Sequence, residues 1–143
     1  MTSLSHQMAQ FVINLKYEDI PAEAVKEAKR FLLDSIGCAL AAVKNEDMLA
    51  MYRFTEKLGG TPEATIIGTG EITNAPNAAL MNCLLTRALD YNDIYWEQDP
   101  SHPSDIIGAA LAAAEANGKN GREALVAIVL AYELEMRWCH AAD

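Results

Sequence analysis

The sequence predicts an all-α protein, a helical bundle of about six helices with a short β-hairpin or extended arm near residues 64–75. Two observations support this fold class. Apolar residues recur at helical spacing through most of the chain, as on the buried face of a helix. The period changes in the segment ATIIGTGEITNA, where isoleucines flank Gly68-Thr69-Gly70 as in a small hairpin.

Three helices are predicted before the hairpin. Ser3 can cap the first, and the second, which is the longest, begins near Pro21. The third runs from Asp47 to Leu58 and is ended by Gly59-Gly60. The apolar stripe of the first helix consists of Leu4, Met8, Phe11, Val12 and Leu15, and that of the second of Val25, Ala28, Phe31, Leu32, Ile36, Ala39, Leu40 and Val43. Both stripes predict packing against a core.

Three helices are predicted after the hairpin. The fourth begins at Pro76 and reaches Asp90, the fifth is capped by Ser104 and ends at Asn117, and the sixth follows Gly121. The fifth helix consists almost entirely of small residues. Its backbone can therefore approach other helices closely, which predicts a place at the centre of the bundle.

Gly37 lies inside the second predicted helix. Glycine in a helix interior costs about 1 kcal/mol relative to alanine. The close approach of a neighbouring helix would account for its presence, so we expect a helix contact at this position.

The charge of the chain excludes several classes of partner. Eleven basic and twenty acidic residues give a net charge of -9, which repels phosphate backbones and anionic lipid headgroups. We therefore expect neither nucleic acid nor a membrane as a partner. The composition, with 51% hydrophobic and 22% charged residues, is typical of a folded globular protein.

The cysteines and the N-terminus bear on the compartment. Cys38, Cys83 and Cys139 form no CxxC pair, and their odd number does not suggest a disulfide framework or a zinc site. The first residues lack the basic and apolar regions of a signal peptide. We expect a reducing compartment and a cytoplasmic protein.

The segment ALDYNDIYWEQDPSHPSD concentrates carboxylates, amides, aromatic rings and a histidine between the fourth and fifth helices. A carboxylate such as Asp90 beside His102 can select the tautomer of the ring and make an acid/base pair that works near neutral pH. The positive end of the fifth helix favours an anion beside His102 and Ser104. Arg87 can lend a cation to the same pocket, so a site for a carboxylated substrate is predicted.

Other interpretations of the same segment remain open. Asp and Asn at a helix end, followed by DPSHPS, are also ordinary capping and turn residues. The alternation DYND is similar to a calcium loop but lacks its glycine and distal glutamate. Gly68-Thr69-Gly70 is far short of a phosphate loop, and no cofactor or metal is predicted. On the sixth helix, Glu133, Glu135 and Arg137 indicate a solvated or interfacial face.

Four strings, LLDSIGCALAA, ALDYNDIYW, HPSDIIGAALAAAE and AIVLAYELEMR, give the chain a resemblance to the N-terminal part of the MmgE/PrpD family. LDYND with HPSD is most similar to the 2-methylcitrate dehydratase branch. The resemblance implies that Asp90 and His102 are catalytic. Where relatives often carry a threonine after the double acidic motif, this sequence has Ile94, and Gly108 stands where many carry proline.

The resemblance also implies an incomplete catalytic unit. Residues 1–143 correspond to the N-terminal part of the helical domain, and the α/β lid domain and the later lysine, histidine and tyrosine positions of the family lie beyond them. It implies a homo-oligomer, since the helical domain of the family forms homodimers.

The implied reaction is water elimination from a small carboxylate substrate. In it His102 is the base or the acid, Asp90 either orients or polarises His102 or is its acid/base partner, and Arg87 and Ser104 bind substrate. Three alternatives remain: cis-aconitate decarboxylation, iminodisuccinate epimerisation, and a helical dimerisation module without catalysis.

Overall fold

The computed structural model describes residues 2–142, most of which are helical. In chain order the α-helices are α1 (Leu4–Asn14), α2 (Ala22–Ala42), α3 (Glu46–Leu58), α4 (Ala75–Arg87), α5 (Ile107–Ala116) and α6 (Gly121–Ala141). The antiparallel strands β1 (Ala64–Thr65) and β2 (Ile72–Thr73) lie between α3 and α4, and short 3₁₀ helices cover Tyr17–Asp19 and Pro103–Ile106. The predicted all-α class with a short hairpin is confirmed.

Polar side chains cap most of the helices at their first turn. Ser3 Oγ accepts a hydrogen bond from the backbone N–H of His6 at 3.3 Å, as its position before α1 predicts. At α6, the side chains of Asn120 and Glu123 each accept a hydrogen bond from the other's backbone N–H, which forms a capping box. Gly59, at φ 65°, ends α3. These ends depend on local chemistry, which is why the sequence locates them well.

Helices α4 and α5 pack closely against each other at Gly108. A Cβ atom built at Gly108 would lie 2.7 Å from the backbone nitrogen of Cys83 and 2.8 Å from the Cβ atom of Asn82. The two backbones can therefore approach this closely because residue 108 has no side chain. Helix α5 also contacts α6 and β1, so its small residues serve the central position that the sequence predicts.

The hydrophobic core has two parts, and α2 and α5 contribute to both. The first part joins α2, α3, β1, α4 and α5 and includes Ala39, Met48, Ile66, Met81, Leu85 and Ala112. The second joins α2, α5 and α6 and includes Val25, Ala28, Ile107, Leu125 and Ile128. Full burial of a side chain the size of leucine or isoleucine contributes about 1.5–3 kcal/mol, so these contacts hold the helices together.

The hairpin is fixed to the helices by side chains that bind its backbone. Asn82 of α4 accepts a hydrogen bond from the Ile67 N–H at 2.8 Å and donates one to the Thr65 carbonyl at 3.0 Å. Glu115 of α5 accepts a hydrogen bond from the Thr65 N–H at 2.8 Å. A hairpin of two-residue strands is marginal by itself. Its position therefore depends on α4 and α5.

Two expectations about individual residues are wrong. Gly37 is exposed, and apart from the neighbouring backbone of its own helix no atom lies within 4 Å of the place where its Cβ would be, so no helix approaches it; the close approach is at Gly108. Ser104 does not cap α5, because the chain enters α5 through the 3₁₀ helix Pro103–Ile106. The hydroxyl and the N–H of Ser104 are both bound to the preceding loop, and these tertiary contacts replace the cap.

The predicted apolar stripes are only partly buried. Leu4 of α1 is 70% exposed and Leu40 of α2 is 51% exposed, and α1 has no buried residue. Periodicity identifies the apolar face of a helix but does not show whether another element covers it.

Within residues 2–142, no helix has both the length and the apolar character that crossing a membrane requires.

The two glycines provide a matched pair of substitutions. We expect Gly108→Ala to lower the free energy of unfolding by about 1–3 kcal/mol, because the new methyl group would overlap backbone atoms of α4. We expect Gly37→Ala to raise it by about 0.5–1 kcal/mol, because that position is open and alanine favours the helix. Urea denaturation followed by circular dichroism measures both, and equal effects of the two substitutions would contradict the packing described at Gly108.

Candidate active site

The loop between α4 and α5 carries the candidate catalytic residues. Asp90 follows the end of α4 and is the residue with a positive φ, 50°, among the non-glycine residues that the structure describes. The middle of the loop is closed by an antiparallel bridge between Tyr95 and Ser101. His102 then precedes the 3₁₀ helix Pro103–Ile106 that leads into α5. Asp90 and His102 therefore stand at the two ends of one closed loop.

Asp90 is exposed and paired with Arg87. The Arg87 guanidinium donates a hydrogen bond to the Asp90 carboxylate, and 78% of the Asp90 side chain is accessible to solvent. This hydrogen bond and the charge of Arg87 lower the pKa of Asp90 below its usual value, with a smaller contribution from His102. The same hydrogen bond raises the pKa of Arg87. Asp90 is therefore a carboxylate and Arg87 a cation at neutral pH.

Asp93 is bound by donors from two other elements. One carboxylate oxygen accepts the backbone N–H of Ser104 at 3.0 Å, and the other accepts the hydroxyl of Tyr132 at 2.8 Å. Tyr132 belongs to α6, and its ring packs on that of Phe31 with centroids 5.2 Å apart. Burial and the hydrogen bond to Asp93 raise the pKa of Tyr132 well above its usual value. Tyr132 is therefore a permanent hydrogen-bond donor to this carboxylate.

His102 is oriented by a backbone carbonyl. Its Nδ1 atom lies 2.5 Å from the carbonyl oxygen of Asp93. The expectation that a carboxylate such as Asp90 binds the ring and selects its tautomer is therefore wrong, because the acceptor beside Nδ1 is a main-chain oxygen. Among the described residues, none forms a hydrogen bond with Nε2, so this nitrogen remains open for a proton transfer.

Polar contacts join four residues of the loop and of the adjoining helix end: Arg87, Asn92, Ser104 and Asp105. Asn92 donates to the Ser104 hydroxyl at 2.8 Å and to the Asp105 carboxylate at 2.9 Å. The Nε atom of Arg87 lies 3.8 Å from Asp105. Burial raises the pKa of Asp105, while Arg87, His102 and Asn92 oppose this effect. At the start of the 3₁₀ helix Pro103–Ile106, the backbone N–H of Ser104 binds the carboxylate of Asp93, so the anion at this helix start is a group of the protein itself.

The four predicted site residues lie in one region but differ in accessibility. Arg87 and His102 are half-buried, Asp90 is exposed, and Ser104 is fully buried. The Ser104 hydroxyl accepts a hydrogen bond from the Asn92 side chain. The substrate-binding role of Ser104 stays a prediction. The catalytic roles of Asp90 and His102 and the binding role of Arg87 also stay predictions. Within residues 2–142, no group of three or more His, Cys, Asp or Glu side chains has the arrangement of a metal site.

Two contributors to the site on α6 were missed by the sequence analysis. Tyr132 binds Asp93, and Glu135 accepts a hydrogen bond from the Ser101 hydroxyl at 2.5 Å. The interpretation of this helix face as solvated or interfacial is correct only for the intrahelical pair of Arg137 and Glu133. Tyr132 and Glu135 are three positions apart and therefore share a face of the helix, which is the signal available in the sequence.

Comparison with known proteins identifies relatives along nearly the whole chain. Residues 6–143 match the MmgE/PrpD N-terminal domain. The chain is 34% identical to a probable 2-methylcitrate dehydratase of Saccharomyces cerevisiae, over 75% of this chain and 22% of that protein. It is 29% identical to a 2-methylcitrate dehydratase of Cupriavidus necator, over 84% of this chain and 27% of the relative. It is 23% identical to a cis-aconitate decarboxylase of Aspergillus terreus, over 92% of this chain and 28% of the relative. The chain thus spans about a quarter of the length of these relatives.

The left-handed backbone at Asp90 yields a stability prediction. Both Asp90→Gly and Asp90→Ala remove the exposed ion pair with Arg87. The difference between their free energies of unfolding therefore reports only the cost of the backbone conformation at residue 90. We expect Asp90→Gly to be more stable than Asp90→Ala by about 1 kcal/mol, because only glycine adopts a positive φ without steric cost. Urea denaturation measures the difference, and two variants of equal stability would contradict a positive φ at residue 90.

Proposed function

This chain belongs to the MmgE/PrpD family, and from that premise we propose that it is the N-terminal part of the helical domain of a carbon–oxygen lyase that eliminates water from 2-methylcitrate or a closely similar small carboxylate. The observation that carries this proposal is the pairing of the family motif with the geometry of the loop. Asp90 and His102 stand at its two ends, and Nε2 of His102 is not bound by any residue of the described chain.

Elimination of water from a hydroxy acid requires two proton transfers. A base removes a proton from the carbon next to a carboxylate, the carbon–oxygen bond of the neighbouring hydroxyl breaks, and an acid protonates the departing oxygen. The products are an unsaturated acid and water. Negative charge grows on the substrate carboxylate during proton removal, so nearby cations stabilise the transition state.

His102 is suited to the role of base in this scheme. The open Nε2 atom accepts the proton, while Nδ1 stays bound to the Asp93 carbonyl. Asp90, which Arg87 keeps ionised, favours the positive charge that the ring acquires. Because Asp90 is already deprotonated at neutral pH, it has no proton to donate, so in this proposal the group that protonates the leaving oxygen comes from another part of the protein.

The site also needs more cations than this segment supplies. Arg87 is already engaged by Asp90 and Asp105, and Asp93 adds a third carboxylate nearby. A substrate with several carboxylates would meet net repulsion here. The later lysine and histidine positions that the family resemblance implies would provide the missing charge.

A second candidate within the family is cis-aconitate decarboxylation. The cis-aconitate decarboxylase of Aspergillus terreus matches 92% of this chain, a larger share than the 75% matched by the Saccharomyces cerevisiae relative. Ile94, which is 50% exposed, stands where relatives often carry a threonine, and this departure weakens the assignment to the decarboxylase. Assays of the complete protein with 2-methylcitrate and with cis-aconitate, in which the unsaturated product and released carbon dioxide are measured, separate the two reactions.

The complete protein is expected to lose activity when either candidate group is removed. We expect His102→Ala to lower kcat by about two to four orders of magnitude, the usual range for loss of a positioned base. We expect Asp90→Asn to lower kcat within the same range, because it removes the carboxylate that favours the positive charge of the protonated ring. His6→Ala is a matched control, because His6 is an exposed histidine on α1. Steady-state rates of both site variants close to that of the control would refute the assignment.

The isolated chain is expected to fold, to associate with itself and to lack dehydratase activity. Folding follows from the local caps and buried faces of the helices. Association follows from exposed apolar side chains, among them Leu4, Ile13, Leu33 and Trp138. Light scattering and a direct assay with 2-methylcitrate test these expectations. A monodisperse monomer that turns over substrate would contradict the proposal of an incomplete catalytic unit.

A further inference from the structure

We propose that Asp93 is a positioning residue that fixes the tautomer and orientation of His102, and that Tyr132 holds Asp93 in place. The catalytic meaning of this inference rests on the proposed function, in which His102 Nε2 takes a proton from substrate. The structural part concerns only contacts within this chain, so it can be tested separately from turnover.

The two oxygens of the Asp93 carboxylate are engaged on opposite sides. Ser104, in the 3₁₀ helix, donates its N–H to one oxygen at 3.0 Å, and Tyr132, on α6, donates its hydroxyl to the other at 2.8 Å. A carboxylate bound at both oxygens by two different elements cannot rotate freely. The main chain at residue 93 is therefore held against both elements, and the carbonyl oxygen of residue 93 is held with it.

That carbonyl determines the protonation pattern of His102. A carbonyl oxygen only accepts hydrogen bonds, so Nδ1, at 2.5 Å, must carry the proton. In the neutral ring the lone pair is then on Nε2. A carboxylate in the same place could exchange a proton with the ring, whereas a backbone carbonyl cannot. The arrangement gives a base with one defined nitrogen in the open position.

Tyr132 connects this local geometry to the core. It is half-buried, and its ring packs on Phe31 of α2. The hydroxyl donates to Asp93 at 2.8 Å, and burial with that hydrogen bond keeps it protonated, because both raise its pKa. The position of the Asp93 carbonyl therefore depends on contacts with α2 and α6, and not only on the loop that carries it.

The ¹⁵N chemical shifts of the His102 ring measure the predicted tautomer directly. In the uniformly ¹⁵N-labelled chain, at alkaline pH, we expect Nδ1 to be protonated and Nε2 to be unprotonated, in one dominant form. The chain has three histidines, so the signals are assigned with His6→Ala and His140→Ala. A wild-type ring with the proton on Nε2, or an average of the two tautomers, would overturn the proposal.

Two variants test the residues that hold the carbonyl. We expect Tyr132→Phe, which removes one donor, and Asp93→Asn, which leaves an amide that can accept from only one of the two donors at its oxygen, to convert the single form into a mixture of tautomers. Tyr52→Phe is the matched control, because its hydroxyl also donates one hydrogen bond to the chain, to the Ile67 carbonyl at 3.1 Å, away from His102. Far-UV circular dichroism establishes that each variant is folded.

The outcomes separate the positioning role from the proposed function. A folded Tyr132→Phe whose His102 signals match those of wild type would overturn the role of Tyr132, and the same result for Asp93→Asn would overturn that of Asp93. If a variant does not fold, the other variant and the wild-type tautomer decide.

In the complete enzyme, we expect Tyr132→Phe to lower kcat by about 100-fold, the cost of a misplaced catalytic group, with little change in KM. A complete protein without dehydratase activity, in which the single tautomer persists, would refute the proposed function and leave the positioning intact.

Discussion

The close contact between α4 and α5 at Gly108 is the constraint on which the rest of the structure depends. Because the two backbones meet there, the end of α4 and the start of α5 are held near each other. The residues that connect them, from 88 to 106, cannot run straight between the helix ends and form a closed loop with its own internal bridge. The packing of two helices thus creates the place where Asp90 and His102 are presented.

Three of the carboxylates in the loop are stabilised in three different ways. Asp90 is exposed and paired with Arg87, Asp105 is partly buried beside Arg87 and Asn92, and Asp93 is bound by an N–H and a hydroxyl. Of these three, only Asp93 accepts a hydrogen bond from α6, namely from the hydroxyl of Tyr132. Asp90, which is exposed, and Asp93, which is bound at both oxygens, can therefore serve different purposes in one small region.

The sequence is sufficient for features that depend on neighbouring residues. The cap at Ser3, the glycine end of α3 and the change of period at the hairpin all involve residues within a few positions of each other. It is insufficient where two distant segments meet. Gly37 and Gly108 are both glycines within helices, and only the helix arrangement decides which of them faces a neighbour. Asp90 and His102 were recognisable from their motif, but Tyr132 is 39 positions from Asp93, and no local pattern joins them.

Asn82 anchors the hairpin by binding main-chain atoms alone, and this has a consequence for how the sequence can drift. The side chains of the hairpin take no part in the two hydrogen bonds that Asn82 makes, so these residues can change while the anchor is retained, provided that the turn keeps its backbone shape. Asn82 has no such freedom. Aspartate would lack the donor that the Thr65 carbonyl needs, and leucine would leave both partners unbound. Variation in this part of the protein should therefore accumulate on the arm and spare Asn82.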